Sequence, residues 1–447
     1  MNQTLEWRNQ DTVVRVLGGY REIGGNLIEI RYRDKRIYLD FGYSLKRYKE
    51  LYEWPRRKPK GIDELINVGL APPVDGLYTR WINEGRKPDL EYGKDTDVYA
   101  VFISHPHLDH MALLPQLNRN IPIYIGETGR DILNLWNQVS VREKYNKYDG
   151  LVFKTFRSFN TIELDEFRVT PVHVDHSIPG SYGFIVETPD TVIGYTGDFR
   201  LHGQDPSLTY DYIMRAREYE LDLLITEATR VHDVLDIKEK DVYETLLKIF
   251  SLTNKAILLD SSYIDIDRIR SIFNAAYKAG KTLVIGWRHF YFIYNLIERE
   301  KKFKLKIEKD SFKVIINLHM RKKKVYNRFI DTIYNKGFQL IDIKNLELSD
   351  NHIYLDFPNY IQYLLNKTFP GTIAIFSNSE PYDEESYLDY RKIINWLNIL
   401  MIPSYRIHSS GHANPIDIKK LVNQVQPKDL IIIHSEYPDV IKKFLGY

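Results

Sequence analysis

The sequence predicts an α/β protein made of two units and a closing segment. Three observations carry this. Up to about residue 230, short apolar runs read as strands, and several end in His or Asp. After about residue 231, strands alternate with helices of about 10–15 residues, the pattern of parallel βαβ units. From Tyr405 onward, apolar runs followed by His return. A length of 447 residues exceeds one ordinary domain, and 43% hydrophobic residues suffice for sizeable cores.

The first unit opens with Thr12–Leu17 as a first strand. A glycine-rich turn, Gly18 to Gly25, leads into Asn26–Tyr32, and Arg36–Leu39 completes a meander. A strand follows the glycines where a phosphate-binding loop needs a helix N-terminus, which argues against nucleotide binding there. Asp40 ends the meander. Residues 43–96 read as a long irregular insertion, and Leu77-Tyr-Thr-Arg-Trp81 suggests aromatics that could stack bases. Asp97–Ile103 is an apolar strand that delivers Ser104-His105-Pro106-His107-Leu108-Asp109-His110, and Met111–Leu117 reads as a helix. Phe167–His173 leads to His176. Thr191–Thr196 leads to Asp198, and Leu221–Thr226 leads to Glu227.

In the second unit, helices are expected at 241–252, 264–278 and 290–299, and strands at 255–259 and 282–285. Ser261 and Ser262 are placed to cap the helix at Ile264. A helix at Pro415–Val425 and a strand ending in His434 close the chain.

Composition limits the chemistry. There is no cysteine, which excludes disulfides, thiolate metal sites and cysteine nucleophiles. Any metal must be held by His and carboxylates, a donor set that suits zinc or manganese. The net charge of +2 points to no polyanionic partner. The basic runs at 56–60, 299–306 and 321–324 nevertheless allow phosphate contacts. No run of 18 apolar residues occurs and no signal-peptide core is present, so a cytoplasmic protein with no membrane partner is expected.

His105, His107, Asp109, His110, His176, Asp198 and His434 each lie at or just after the end of an apolar strand. Strand ends on one sheet edge converge on one crevice, and this number of ligands fits two divalent ions, with Asp198 shared. Asp40 suits a hydrogen bond that fixes the tautomer of a ligand imidazole. His412 near Glu227 suits a proton donor for a departing oxygen.

His105-Pro-His107-Leu-Asp109-His110 resembles the HxHxDH signature of the metallo-β-lactamase fold, and Asp40, His176 and Asp198 resemble its other motifs. His176-Ser-Ile-Pro-Gly-Ser181 and Thr196-Gly-Asp198-Phe-Arg200 resemble the forms found in ribonuclease J. Glu227, His412 in Ser410-Gly411-His412-Ala413, and His434 resemble motifs A, B and C of the β-CASP subgroup. The chain stops just past motif C, which resembles the short archaeal form.

The resemblance implies an αββα sandwich over residues 1–230, a β-CASP α/β domain inserted at 231–405, and a return segment at 406–447. It implies two zinc ions, with manganese as the alternative. His105, His107 and His176 would hold one, Asp109, His110 and His434 the other, and Asp198 would bridge them. It further implies a 5′→3′ exoribonuclease on single-stranded RNA that prefers 5′-monophosphate ends. Arg288, His408, Ser410, Ser261 and Ser262 are candidates for the phosphate pocket, and a homodimer is the assembly to test. Two readings stay open beside it: an endoribonuclease of the cleavage-and-polyadenylation type and a non-catalytic RNA-processing scaffold.

Overall fold

The computed structural model describes residues 4–53, 55–79, 96–139, 148–230, 237–299, 307–318, 324–365, 369–381 and 384–447. Strands β1 (Leu5–Asn9), β2 (Thr12–Gly18), β3 (Leu27–Tyr32) and β4 (Lys35–Leu39) form an antiparallel meander. Helices α1 (Leu45–Tyr52) and α2 (Ile62–Asn67) follow. Then β5 (Val98–Ile103), α3 (Leu108–Met111), β6 (Ile123–Gly126), α4 (Glu127–Val139) and β7 (Phe153–Phe156) extend the sheet in parallel, giving the order β1 through β7.

A second sheet contains β8 (Ile162–Leu164), β9 (Phe167–His173), β10 (Tyr182–Glu187), β11 (Val192–Tyr195), then α5 (Ser207–Glu218) and β12 (Leu223–Glu227). Its last strand, β20 (Asp429–Ile433), is supplied from the far end of the chain, and its order is β20-β12-β11-β10-β9-β8.

The intervening chain builds a third sheet. It comprises α6 (Glu239–Leu252), β13 (Ile257–Asp260), α7 (Ile266–Lys278), β14 (Thr282–Gly286), α8 (Trp287–Arg299), β15 (Phe312–Ile316), α9 (Lys324–Asn335), β16 (Gln339–Asp342), β17 (His352–Leu355), β18 (Ile373–Phe376), α10 (Glu384–Ile399) and β19 (Ser404–Arg406). All its pairings are parallel, in the order β16-β15-β14-β17-β13-β18-β19. Helix α11 (Pro415–Val425), β20 (Asp429–Ile433) and α12 (Pro438–Phe444) return to the second sheet.

Alternation along the strands explains the layers. Val14, Ile28, Leu39 and Phe102 of the first sheet pack against Val169, Phe184, Tyr195 and Ile433 of the second. The opposite faces bury Val101 and Ile103 under Leu65 and Leu114, and Leu224 and Ile432 under Ile213 and Leu421. The result is an αββα sandwich. Ile132 and Leu135 of α4 join the core of the third sheet, so this helix is shared between the units.

Several expectations need correction. Strand β1 precedes the one expected to be first; its polar, half-exposed residues hide the edge strand. The helix expected at Met111–Leu117 is instead α3 followed by a 3-10 turn at Leu114–Gln116, because Pro115 cannot donate the bond an α-helix would need. The cap of α7 is Asp265, which accepts from the Arg268 backbone N–H, so neither Ser261 nor Ser262 fills that role. Tyr78 is buried and its hydroxyl donates to the Pro72 carbonyl, so it offers no stacking face; Trp81 lies outside the described residues. Most of the basic runs at 299–306 and 321–324 also lie outside them.

Candidate metal centre

The topology brings the candidate ligands together. Strands β4 and β5 are parallel neighbours, so Asp40 and the turn after Ile103 leave the first sheet at one edge. Strands β11, β12 and β20 are parallel, and β9 runs the same way because β10 is antiparallel to both β9 and β11. His176, Asp198, Glu227 and His434 therefore leave the second sheet at one edge. Asp40 and His434 turn off their strands sharply, with φ of 59° and 51°. Such values are uncommon outside glycine and cluster at functional sites.

Glycines allow the histidine turn to pack. The Asp109 carbonyl accepts from the backbone N–H groups of Gly25 and Asn26. A Cβ on Gly42 would lie 1.7 Å from that same oxygen, and one on Gly24 would lie 2.7 Å from Asp109 Oδ2. The glycine-rich turn thus serves close approach of backbone.

Asp198 Oδ2 lies at the middle of the cluster. It is 3.6 Å from His105 Nε2, 3.2 Å from His110 Nε2, 3.9 Å from His176 Nε2 and 3.8 Å from His434 Nε2. His107 Nδ1 lies 2.9 Å from His105 Nε2 and 3.2 Å from His176 Nε2. Asp109 Oδ2 lies 3.1 Å from His434 Nε2 and 3.9 Å from His110 Nε2. Ligand atoms of His105, His107, His176 and Asp198 lie within 4.8 Å of one another, as do those of Asp109, His110 and His434.

The residues fit metal. His110 Nε2 and Asp198 Oδ1 are buried, and neither has a hydrogen-bond partner among the described residues. Buried polar atoms are normally paired, so these two fit a bound cation. Burial holds His105 and His176 well below the ordinary histidine value and lowers His107 to about 4, keeping these rings neutral, the form that binds metal. Burial would also lower His110, but the charges of Asp198, Asp40 and Asp109 raise it well above the ordinary value.

Asp40 is fully buried and every oxygen is used. Its Oδ1 accepts from the Ser104 backbone N–H at 2.7 Å. Its Oδ2 accepts from Ser104 Oγ at 2.8 Å, from His110 Nδ1 at 2.7 Å and from the Tyr195 hydroxyl. The bond to Nδ1 turns the His110 Nε2 lone pair toward Asp198. His176 is oriented likewise: its Nδ1 donates to the Gly411 carbonyl at 2.6 Å.

His412 lies beside the cluster. Its Nδ1 is 3.0 Å from Glu227 Oε2 and 3.7 Å from Asp198 Oδ2. The side chain is 25% exposed, enough to meet a substrate. Burial opposes its proton, but the charges of Glu227 and Asp198 lift its pKa to about 9. Glu227 accepts from the Phe199 backbone N–H at 3.0 Å and from Thr229 Oγ at 2.6 Å.

Sequence reasoning missed Ser104, Tyr195, Thr229 and the Gly411 carbonyl. Thr229 also lies 2.8 Å from His434 Nδ1, so one hydroxyl supports both Glu227 and a candidate ligand. Its place two residues after Glu227 was the available signal; a backbone carbonyl leaves none.

The phosphate-pocket candidates separate. Ser410 Oγ accepts from the His412 backbone N–H at 3.1 Å, next to the cluster. His408 instead faces Arg268, 3.1 Å away, and burial pushes its pKa down to about 3. It is thus a neutral acceptor for a cation, not an anion-binding group. Arg288 is exposed at the start of α8, over the Trp287 ring, while Ser261 and Ser262 follow β13 on the third sheet.

Residues 80–253 match the β-lactamase superfamily domain, and residues 404–442 match the RNA specificity domain of Zn-dependent metallo-hydrolases. Ribonuclease J of Mycoplasma genitalium is 23% identical over 436 residues, spanning 95% of this chain and 68% of that protein. Ribonuclease J 1 of Streptococcus pyogenes is 25% identical over 447 residues, with the same two shares. A crystal structure of a protein of unknown function from Enterococcus faecalis shares the fold. Its TM-score is 0.72 at 23% identity, covering 96% of this chain and 95% of that one. No helix among the described residues is long and apolar enough to cross a membrane.

Proposed function

We propose that the chain, which is similar to ribonuclease J and to the metallo-β-lactamase superfamily, is a β-CASP, zinc-dependent ribonuclease acting 5′→3′ on single-stranded RNA with 5′-monophosphate ends. The observation that carries the reading is the convergence of six imidazole and carboxylate ligands on Asp198, with the His412–Glu227 pair beside them. We assign His105, His107 and His176 to one zinc and Asp109, His110 and His434 to a second, with Asp198 shared and manganese as the alternative ion. Residues 1–230 and 406–447 carry this site, and 231–405 form the inserted β-CASP unit.

Bound metal supplies Lewis-acid chemistry, polarising a phosphoryl oxygen and lowering the pKa of water. The chain's residues supply the rest. Asp40 and the Gly411 carbonyl each fix a ligand imidazole by its Nδ1–H, so the rings need no reorganisation when phosphate arrives. Glu227, held by Phe199 N–H and Thr229, keeps the His412 ring oriented and charged. His412 Nε2 then donates its proton to the departing oxygen, and general acid help of this kind is worth roughly 10²–10⁴-fold. Glu227 compensates the charge His412 carries before that transfer.

The test uses 5′-labelled linear RNA and its circular counterpart, in the presence of zinc or manganese. Release of labelled mononucleotides with circles left intact supports the reading. Internal fragments from both substrates contradict the exonucleolytic part and favour an endonuclease; intact RNA in both contradicts catalysis. Fractionation to the cytoplasm and sedimentation as a homodimer are the expected cellular and assembly results.

A further inference from the structure

The segment between β19 and α11 lacks regular structure, yet side chains from distant elements hold three successive carbonyls. Arg268 Nη2 donates to the Ser409 carbonyl at 3.0 Å. Arg200 Nη1 donates to the Ser410 carbonyl at 3.2 Å, and His202 Nε2 lies 3.0 Å from the same oxygen. The Gly411 carbonyl receives His176 Nδ1. His412 comes next.

Both arginines are fully buried. Arg268, in the first turn of α7, grips Glu239 of α6 with two bonds of 2.9 Å and also donates to Ser377 after β18. Arg200, two residues past Asp198, donates to Asp175 at 3.2 Å, the residue before His176, and to Asp267 of α7 at 2.6 Å. The planar fork of arginine suits this multiple fixing, and lysine cannot reproduce it. Gly411 is also hemmed in: a Cβ there would lie 2.6 Å from Ser177 Oγ.

We propose that Arg200 and Arg268 are positioning residues that clamp Ser409 and Ser410, so that the α6–α7 face of the inserted unit sets the placement of His412 and His176. This rests on the ribonuclease reading for its catalytic consequence, but not for its structural one. A misplacement of about 1 Å at a reacting group can cost about 10²-fold in rate. The inserted unit thereby acts on the chemistry, beyond any contact it makes with RNA.

The test is the full-length double variant Glu239→Met/Arg268→Met. Replacing a buried pair by apolar residues of similar size commonly preserves the fold, whereas removing one partner does not. Four quantities are read against the parent chain: hydrogen exchange of the peptide covering 407–413, zinc content, and kcat and KM on RNA. The expected result is exchange at 407–413 faster by about 10-fold or more with the sheets unchanged. With it, kcat falls about 10-fold or more and KM stays within about 2-fold.

Unchanged exchange at 407–413 overturns the clamp. Faster exchange with unchanged kcat overturns the positioning role. If the double variant does not fold, Arg200→Lys replaces it, keeping the charge between Asp175 and Asp267 while losing the fork, with the same criteria. A parent chain inactive on RNA would contradict the ribonuclease reading and leave the exchange measurement to decide the clamp.

Discussion

Asp40→Asn is a one-atom change whose consequence follows from the hydrogen-bond count. Asp40 accepts four bonds, one at Oδ1 from the rigid Ser104 backbone N–H and three at Oδ2 from Ser104 Oγ, His110 Nδ1 and Tyr195. An amide keeps one acceptor oxygen. If that oxygen stays on the Ser104 N–H, the amide NH₂ faces His110 Nδ1–H, donor against donor. Hydroxyls of Ser104 and Tyr195 can rotate, but the imidazole must move its proton to Nε2, the atom 3.2 Å from Asp198 Oδ2. A proton there closes the ligand lone pair. If the amide flips, its NH₂ opposes a backbone N–H that cannot turn. Loss of such an outer partner typically costs 10–100-fold in metal affinity, about 1.4–2.8 kcal/mol. Competition with a chelator, on protein whose circular dichroism matches the parent, measures it. An affinity within about twofold of the parent would refute the reasoning.

Other consequences are as specific. His412→Ala is expected to lower kcat on RNA by about 10²–10⁴-fold while metal content stays at the parental level, checked by steady-state kinetics and elemental analysis. Gly42→Ala forces a Cβ against the Asp109 carbonyl and is expected to cost at least about 1–3 kcal/mol together with metal binding, read by urea unfolding. Asp356, after β17, offers a pH test remote from the metal centre. Burial first, then the charge of Asp260, raises its pKa to about 8. Its folded value lies above its unfolded one, so the folded chain binds the extra proton and stability falls as pH rises from about 4 to about 8. Asp356→Asn, tolerated at its φ of 64°, is expected to flatten that fall by an amount on the order of 1 kcal/mol or more, and unfolding midpoints with the same pH slope as the parent would contradict it.

The candidate cluster was legible because its members are side chains placed at strand ends. His105 to His110 announced the site, and the apolar runs before His176, Asp198 and His434 announced the edge they share. What stayed hidden was support supplied by backbone or by side chains with ordinary roles. The Gly411 carbonyl that orients His176 has no sequence signature. Thr229 looks like a strand-end residue until three partners are seen around its hydroxyl. Nothing in the sequence signals the burial of Arg200 and Arg268, since full burial of arginine is rare and depends on carboxylates that only the tertiary fold brings near. Local errors had local causes. Pro115 shortened a helix that periodicity had extended, and half-exposed β1 lacked the apolar pattern of a strand.

The central claim is that residues converging on Asp198 hold metal that the chain uses to cut RNA. Titrating metal-depleted protein with zinc while following hydrolysis of 5′-monophosphorylated RNA tests it directly. Activity is expected to rise to a plateau near two zinc ions per chain and to be abolished by Asp198→Asn. Hydrolysis that is undiminished without metal, or zinc binding at two ions per chain with no hydrolysis of any RNA, would contradict it.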